Sequence, residues 1–183
     1  MRRATLFCLV LLLAVSGCSG VRVTTDYDPA ADFSKLRSYA WLDERSGVQG
    51  DRSDVTSLLD RRVRRAVDTE LQRKGWRAVS RGEADALVAY HLGVETRLDV
   101  NTIHSGYGYG RGVYRGGVAT HTTVSEYQEG TLLIDVIDPE SKQLIWRGSG
   151  QSRLRRSSTP EQREQRIDEA VAQILESFPP KAN

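Results

Sequence analysis

Cysteine is nearly absent: the 183 residues hold two, Cys8 and Cys18. An excess of one charge is missing as well. The 26 Lys+Arg and 24 Asp+Glu leave a formal net charge of +2, and Arg2 and Arg3 account for it at the extreme N-terminus. Without those two, 24 basic residues face 24 acidic ones. No concentrated positive field remains of the kind nucleic-acid binding needs. Proline is scarce at five residues, and 27% charged with 39% hydrophobic residues excludes collagen-like and plainly disordered chains. No apolar run reaches the ~20 residues of a membrane-spanning helix.

The longest apolar run, residues 4–15, is 12 residues broken only by Thr5 and Cys8. Behind Arg2 and Arg3 it has the length of a signal-peptide core. It ends in Val15-Ser16-Gly17-Cys18, which resembles the bacterial lipobox: an aliphatic residue, two small residues, then cysteine. The alternatives are an ordinary secretory signal, or a core helix with an incidental cysteine. The resemblance implies that residues 1–17 are cleaved off. Cys18 then becomes the first residue, carrying diacylglycerol on sulfur and a further acyl chain such as palmitate on its amine. At ~0.8 kcal/mol per buried methylene, two or three chains anchor a protein without any transmembrane helix. Ser19 stands where Asp is the usual inner-membrane retention signal, so the analogy places the protein on the periplasmic side of the outer membrane. With Cys8 cleaved and Cys18 acylated, no thiol is left for catalysis, for zinc or for a disulfide.

The mature chain, 18–183, reads as one domain. Residues 20–27 alternate Val21, Val23 and Thr25 against Arg22, Thr24 and Asp26, a half-buried strand; RSYAWL (37–42) is a second. From Asp54 the period becomes helical through Leu58, Leu59, Val63, Ala66, Val67 and Leu71, ending at Lys74-Gly75 with a basic last turn and a C′ glycine. Arg61, Arg64, Arg65, Asp68 and Arg73 lie off that stripe, a basic face that can meet phospholipid headgroups but reads as solvated. Trp76, Ala78 and Val79 begin another extended segment. Then Val88, Tyr90, Leu92, Val94 and Leu98 alternate with Ala89, His91, Gly93, Glu95 and Arg97. Segments 131–137 and 143–147 flank an Asp138-Pro139 turn, with Leu132, Ile134, Val136, Leu144 and Trp146 on the predicted buried face. Thr159-Pro160 caps a last helix carrying Ile167, Val171, Ile174, Leu175 and Phe178. The order β-β-α-β-β-β-β-α predicts an α+β domain, a mostly antiparallel sheet with two helices on one face.

Several segments together carry a family resemblance: TTDYDPAADFSKLRSYAW (24–41), ELQRKGW (70–76), EADALVAYHLG (83–93), GTLLIDVIDPESKQLIWRGSG (130–150) and ILESFPP (174–180). With the lipobox, their order and spacing resemble the bacterial lipoprotein family known as domain of unknown function 4136. The resemblance covers essentially the whole mature chain. It implies an envelope α+β lipoprotein, and it brings neither catalytic residues nor a cofactor.

Chemistry has few places to sit. SGYGYGRGVYRGG (105–117) holds six glycines, three tyrosines and two arginines, yet lacks the Gly-Lys-Ser/Thr of a P-loop and any GxGxxG in register. Tyr107, Tyr109, Arg111, Tyr114 and Arg115 can instead form a stacking platform for a glycan or peptide. The plainer reading of loop 104–117 is a mobile hairpin tip, since ordering each residue costs roughly 1 kcal/mol or more. His104 and His121 flank the loop, with Glu126 and Asp99 near in sequence, a weak metal candidate lacking HExxH or an i, i+4 histidine pair. Ser149 lies between Gly148 and Gly150 without the GxSxG of a hydrolase elbow. Asp135 and Asp138 are carboxylates whose pairing only coordinates can judge. The reading is of a non-enzymatic binding or structural component of the cell envelope. It has no cofactor and no nucleic-acid partner, and it works with another envelope component; the alternatives are a glycan or small-ligand binder using the Tyr/Arg-rich loop, and a periplasmic hydrolase or metal-dependent enzyme.

Overall fold

A computed structural model describes residues 20–42, 54–105, 119–154 and 158–180, of which 54–57, 101–105 and 119–121 are described by backbone. Along the chain run β1 (Val21–Tyr27), a 3-10 turn (Phe33–Lys35), β2 (Ser38–Trp41), α1 (Asp54–Arg73), β3 (Arg77–Ala78), β4 (Ala86–Ser105), β5 (Ala119–Ile137), β6 (Leu144–Leu154) and α2 (Pro160–Leu175). The six strands form one sheet in the order β1-β6-β5-β4-β2-β3. The fold is α+β, but the sheet is mixed rather than mostly antiparallel. β1–β6, β5–β6 and β4–β5 are antiparallel, whereas β2 runs parallel to both β3 and β4. The parallel pairs arise because α1 separates β2 from its neighbours, so no hairpin can reverse the chain there.

Both helices bury their apolar stripes on one face of the sheet. Val63, Ala66, Val67 and Leu71 of α1 and Val171, Ile174 and Leu175 of α2 meet Val88, Tyr90, Leu132, Ile134, Val136 and Trp146. α1 closes as its sequence suggests. Gly75 at φ +85° follows the last turn, its N–H reaches the Gln72 carbonyl at 2.9 Å, and the Trp76 N–H reaches the Leu71 carbonyl at 3.0 Å. That is a Schellman closure, whose left-handed residue glycine adopts without a Cβ penalty. α2 opens on a capping box between Thr159 and Gln162, with Pro160 in the first turn. Two glycines let α2 lie close: a Cβ on Gly148 would collide with Trp146 and Ile174, and one on Gly150 would come within 2.7 Å of Ile174 Cδ1.

One expected core residue is outside. Leu144 is 42% exposed and Ile145 takes the interior position. The register slips between Val136 and Ile137, where Trp146 pairs with Val136 but Leu144 pairs with Ile137. This β-bulge reverses the alternation at the start of β6. The start of β2 is held by Asp85. Its carboxylate accepts the Arg37 N–H at 3.0 Å, the Ser38 N–H at 2.9 Å and the Ser38 hydroxyl at 2.7 Å.

Trp146 is buried against Phe178, with ring centroids 4.9 Å apart. Trp146→Ala is therefore expected to cost about 3–5 kcal/mol in chemical denaturation; a loss below about 1 kcal/mol would contradict this packing. Asp85 gives a pH prediction. The Ser38 hydroxyl, then the Arg37 N–H, hold its pKa below the usual carboxylate value. A depressed folded-state pKa stabilises above the unfolded value, and that contribution disappears as pH falls through the folded one. Stability measured between about pH 5 and pH 2 should fall less steeply for Asp85→Asn than for the wild type.

Candidate functional site

Two polar clusters stand out. The first lies under α1. Asp60, Arg64 and Asp68 are spaced one turn apart and face the sheet. The Tyr90 hydroxyl donates to Asp60 at 2.6 Å, and Arg64 Nε donates to the same oxygen at 2.9 Å. The Tyr39 hydroxyl at 2.7 Å and Trp41 Nε1 at 3.1 Å both donate to Asp68. The Arg64 guanidinium also lies 4.6 Å from the centre of the Trp41 ring. Burial, then the neighbouring carboxylate, pushes both tyrosines far above the usual phenol range, so both remain hydroxyl donors. Each of the two acids accepts two hydrogen bonds, and this cluster fastens helix to sheet.

The second cluster lies on the opposite face, which carries no helix among the described residues. Asp135, on β5, is opposite Ala89 and Arg147. It is buried, and the Arg147 fork holds both of its oxygens at 2.6 and 2.7 Å. Such bidentate, charge-assisted pairs are the strong ones. His91 Nε2 is 3.7 Å from Asp135 Oδ2, too far for a hydrogen bond, and its side chain is largely exposed. Next to it is a depression of about 420 Å³ lined by His91, Gly93, Glu95, Thr131, Leu133 and Gln151. Gly93 is part of its lining, and a Cβ there would meet nothing within 4 Å. Farther out, Arg97 pairs with Glu129 at 2.6 Å, and the Arg153 guanidinium covers Tyr127 at 4.0 Å. In this arrangement the buried acid is neutralised, and the exposed groups border a shallow hollow.

The residues singled out from sequence fare unevenly. Cys18 and the platform residues Tyr107, Tyr109, Arg111, Tyr114 and Arg115 lie outside the described residues. The long hairpin strands run to Ser105 and resume at Ala119, well past Leu98, the last alternating residue read from the sequence, because cross-strand pairing continues rung by rung. Within it His104 pairs with Thr120 and His121 with Ile103. The two histidines thus occupy neighbouring rungs at alternate positions of the pleat, and no cluster of three metal-ligating residues exists among the described residues. Asp138 serves the turn, accepting the Ser141 N–H at 2.6 Å and the Glu140 N–H at 3.0 Å. It does not pair with Asp135. Sequence reasoning overlooked Asp60, although the spacing of Asp60, Arg64 and Asp68 was visible, and overlooked the Asp135–Arg147 pair, which only the strand register reveals.

The Asp135–Arg147 pair yields an ordering of stabilities. Arg147→Met should destabilise the domain by about 2–3 kcal/mol, below the roughly 3–5 of a fully buried pair because Arg147 keeps 44% exposure. The double variant Arg147→Met/Asp135→Leu should be more stable than the single one, since it leaves no unpaired buried carboxylate. Urea denaturation of both, read against the wild type, checks the order.

No helix among the described residues is long and apolar enough to cross a membrane. No curated protein sequence matches the chain. Among solved structures it is similar to a PDZ domain protein from Parabacteroides distasonis, at 14% identity and a TM-score of 0.49 over 88% of this chain. This chain spans 36% of that protein's length. It is also similar to the PelC dodecamer from Paraburkholderia phytofirmans, at 11% identity and a TM-score of 0.47, covering 85% of this chain and 94% of that one. Residues 23–180 match the profile of a domain of unknown function, DUF4136. The span takes in both polar clusters and nearly every described residue, so the chain belongs to the DUF4136 family.

Proposed function

We propose that this is a lipid-anchored protein of the bacterial envelope, held through Cys18 on the periplasmic side of the outer membrane. It acts by binding another envelope component rather than by catalysis. The observation that carries the binding reading is the sheet face free of helices among the described residues, where the hollow beside Gly93 is bordered by the exposed His91 and Glu95. Its deepest acid, Asp135, is committed to Arg147, so what the face offers a partner is shape and mixed polarity. The anchor reading is supported by the apolar run ending at Val15-Ser16-Gly17-Cys18. β1 begins at Val21, three residues after that cysteine, which would hold the domain directly at the membrane.

Two measurements test this reading. The mature N-terminal peptide should begin at an acylated Cys18, and Cys18→Ser should release the protein from the membrane fraction. An unmodified Cys18, with wild type washed off by salt alone, would defeat the anchor. For the face, Gly93→Tyr fills the hollow without a steric conflict at Cβ. Cross-linking in intact cells should recover a stoichiometric partner with the wild type and lose it with Gly93→Tyr, while the thermal midpoint shifts by no more than about 4 °C. Retention of the partner by Gly93→Tyr would remove this face from the binding site.

A further inference from the structure

The long hairpin outgrows the sheet that supports it. β4 and β5 stay paired from Leu87 opposite Ile137 to Ser105 opposite Ala119. β6 parts from β5 at Gln128 opposite Leu154, and β2 parts from β4 at Val88. From Leu98 opposite Glu126 outward, the hairpin is a ribbon of two strands with no third strand beside it among the described residues.

Its two faces differ. The face continuous with the helix-covered core exposes Val94 at 62%, Leu98 at 65%, and Val100 and Val124 at 59% each. Val100 and Val124 are direct cross-strand partners. Threonines and Glu126, the one charge among the described residues of this stretch, share that face. The other face carries Arg97 with Glu95 and Glu129, and Arg153 with Asp99 and Tyr127. Val94 and Leu98 alternate correctly with the polar residues in sequence, but the helices end before reaching them.

Register then fixes a direction. Val21 pairs with Ser152, Ser152 with Gly130, and Gly130 with Val94. The chain before Val21 and the ribbon beyond Val94 therefore leave the sheet the same way. Cys18 precedes Val21 by three residues, a reach of at most ~10 Å. Ser105 follows Val94 by eleven residues, ~36 Å of strand. With Cys18 held at a bilayer surface and the strands upright, about 25 Å of ribbon would enter a hydrocarbon core ~30 Å thick. A two-stranded ribbon cannot stay there, because its edges leave N–H and C=O groups unpaired. The strands must lie over, along the surface.

Resting on the Cys18 anchor, we propose that the β4–β5 ribbon is a membrane-surface contact, with Val94, Leu98, Val100 and Val124 against lipid at the level of the headgroups. The face it presents is the one on which α1 packs. The half of α1 near Tyr90 carries the exposed Arg61 and the half-buried Arg62, which suit anionic headgroups. Glu126 and the threonines set the depth: they fit the wet interface and would be costly in hydrocarbon.

The test uses the full-length, lipidated protein with one added cysteine, either Leu98→Cys on the apolar face or Ser125→Cys on the charged face, each carrying an environment-sensitive fluorophore. Both are placed in phosphatidylethanolamine/phosphatidylglycerol vesicles containing spin-labelled lipid. The label at 98 should lose roughly half or more of its emission to the spin-labelled lipid and be shielded from iodide, while the label at 125 is open to iodide and unquenched. Equal iodide access at both positions, in protein that floats with vesicles and has an acylated Cys18, would overturn the proposal and leave the anchor standing. Shielding at 98 without quenching by lipid would also overturn it, showing that protein, such as a second copy paired along β4, covers the ribbon. An unmodified Cys18 in the mass spectrum would remove both readings together.

Discussion

Everything on the helix-covered face depends on how closely α2 approaches β6. Gly148 and Gly150 have no side chains, and Ile174 and the Trp146 ring occupy the room this leaves. Phe178, just beyond α2, then contacts Trp146, Trp76 and Phe33 within 6.3 Å between ring centroids. These rings join α2, the end of α1 and the turn after β1 into one core. Close packing of this sort is lost when one atom intrudes, because the neighbours relax only partly. The two glycines flank Ser149 in a pattern that superficially suggests catalysis, and their role is mechanical.

The sequence was most legible where a local rule has one solution. Thr159-Pro160 and Lys74-Gly75 mark helix ends by chemistry that involves only their own neighbours, and the structure closes both helices there. Alternation over 88–98 and 131–137 likewise gave the face of each side chain. It could not give the length of the supporting layer. Val94 and Leu98 have the parity of Tyr90 but not its cover, since cover comes from helices distant in sequence. Leu144 failed for a related reason, because a bulge is a property of two strands and cannot be seen in one.

The polar clusters follow the same division. Asp138 is readable as a turn former because its partners, Ser141 and Glu140, are adjacent. Asp135 becomes intelligible only when β6 brings Arg147 beside it. The parallel seat of β2 between β3 and β4 belongs with these, since Asp85 and Ser38 meet across 47 positions of chain. The polar arrangement of the sheet is therefore almost wholly a product of register.

The spacing of Asp60, Arg64 and Asp68 has a consequence for how α1 can be seated. The hydroxyls of Tyr90 and Tyr39 and the indole N–H of Trp41 are donors, and each finds a carboxylate. If α1 slid along its axis by one turn, Arg64 would arrive where Asp60 or Asp68 had been. Donors would then face a donor, with no acceptor between them. The apolar stripe alone tolerates such a slip, since Val63, Val67 and Leu71 are also four apart and similar in size. The alternating signs act as a vernier: they admit one axial setting of the helix and make the neighbouring settings electrostatically wrong.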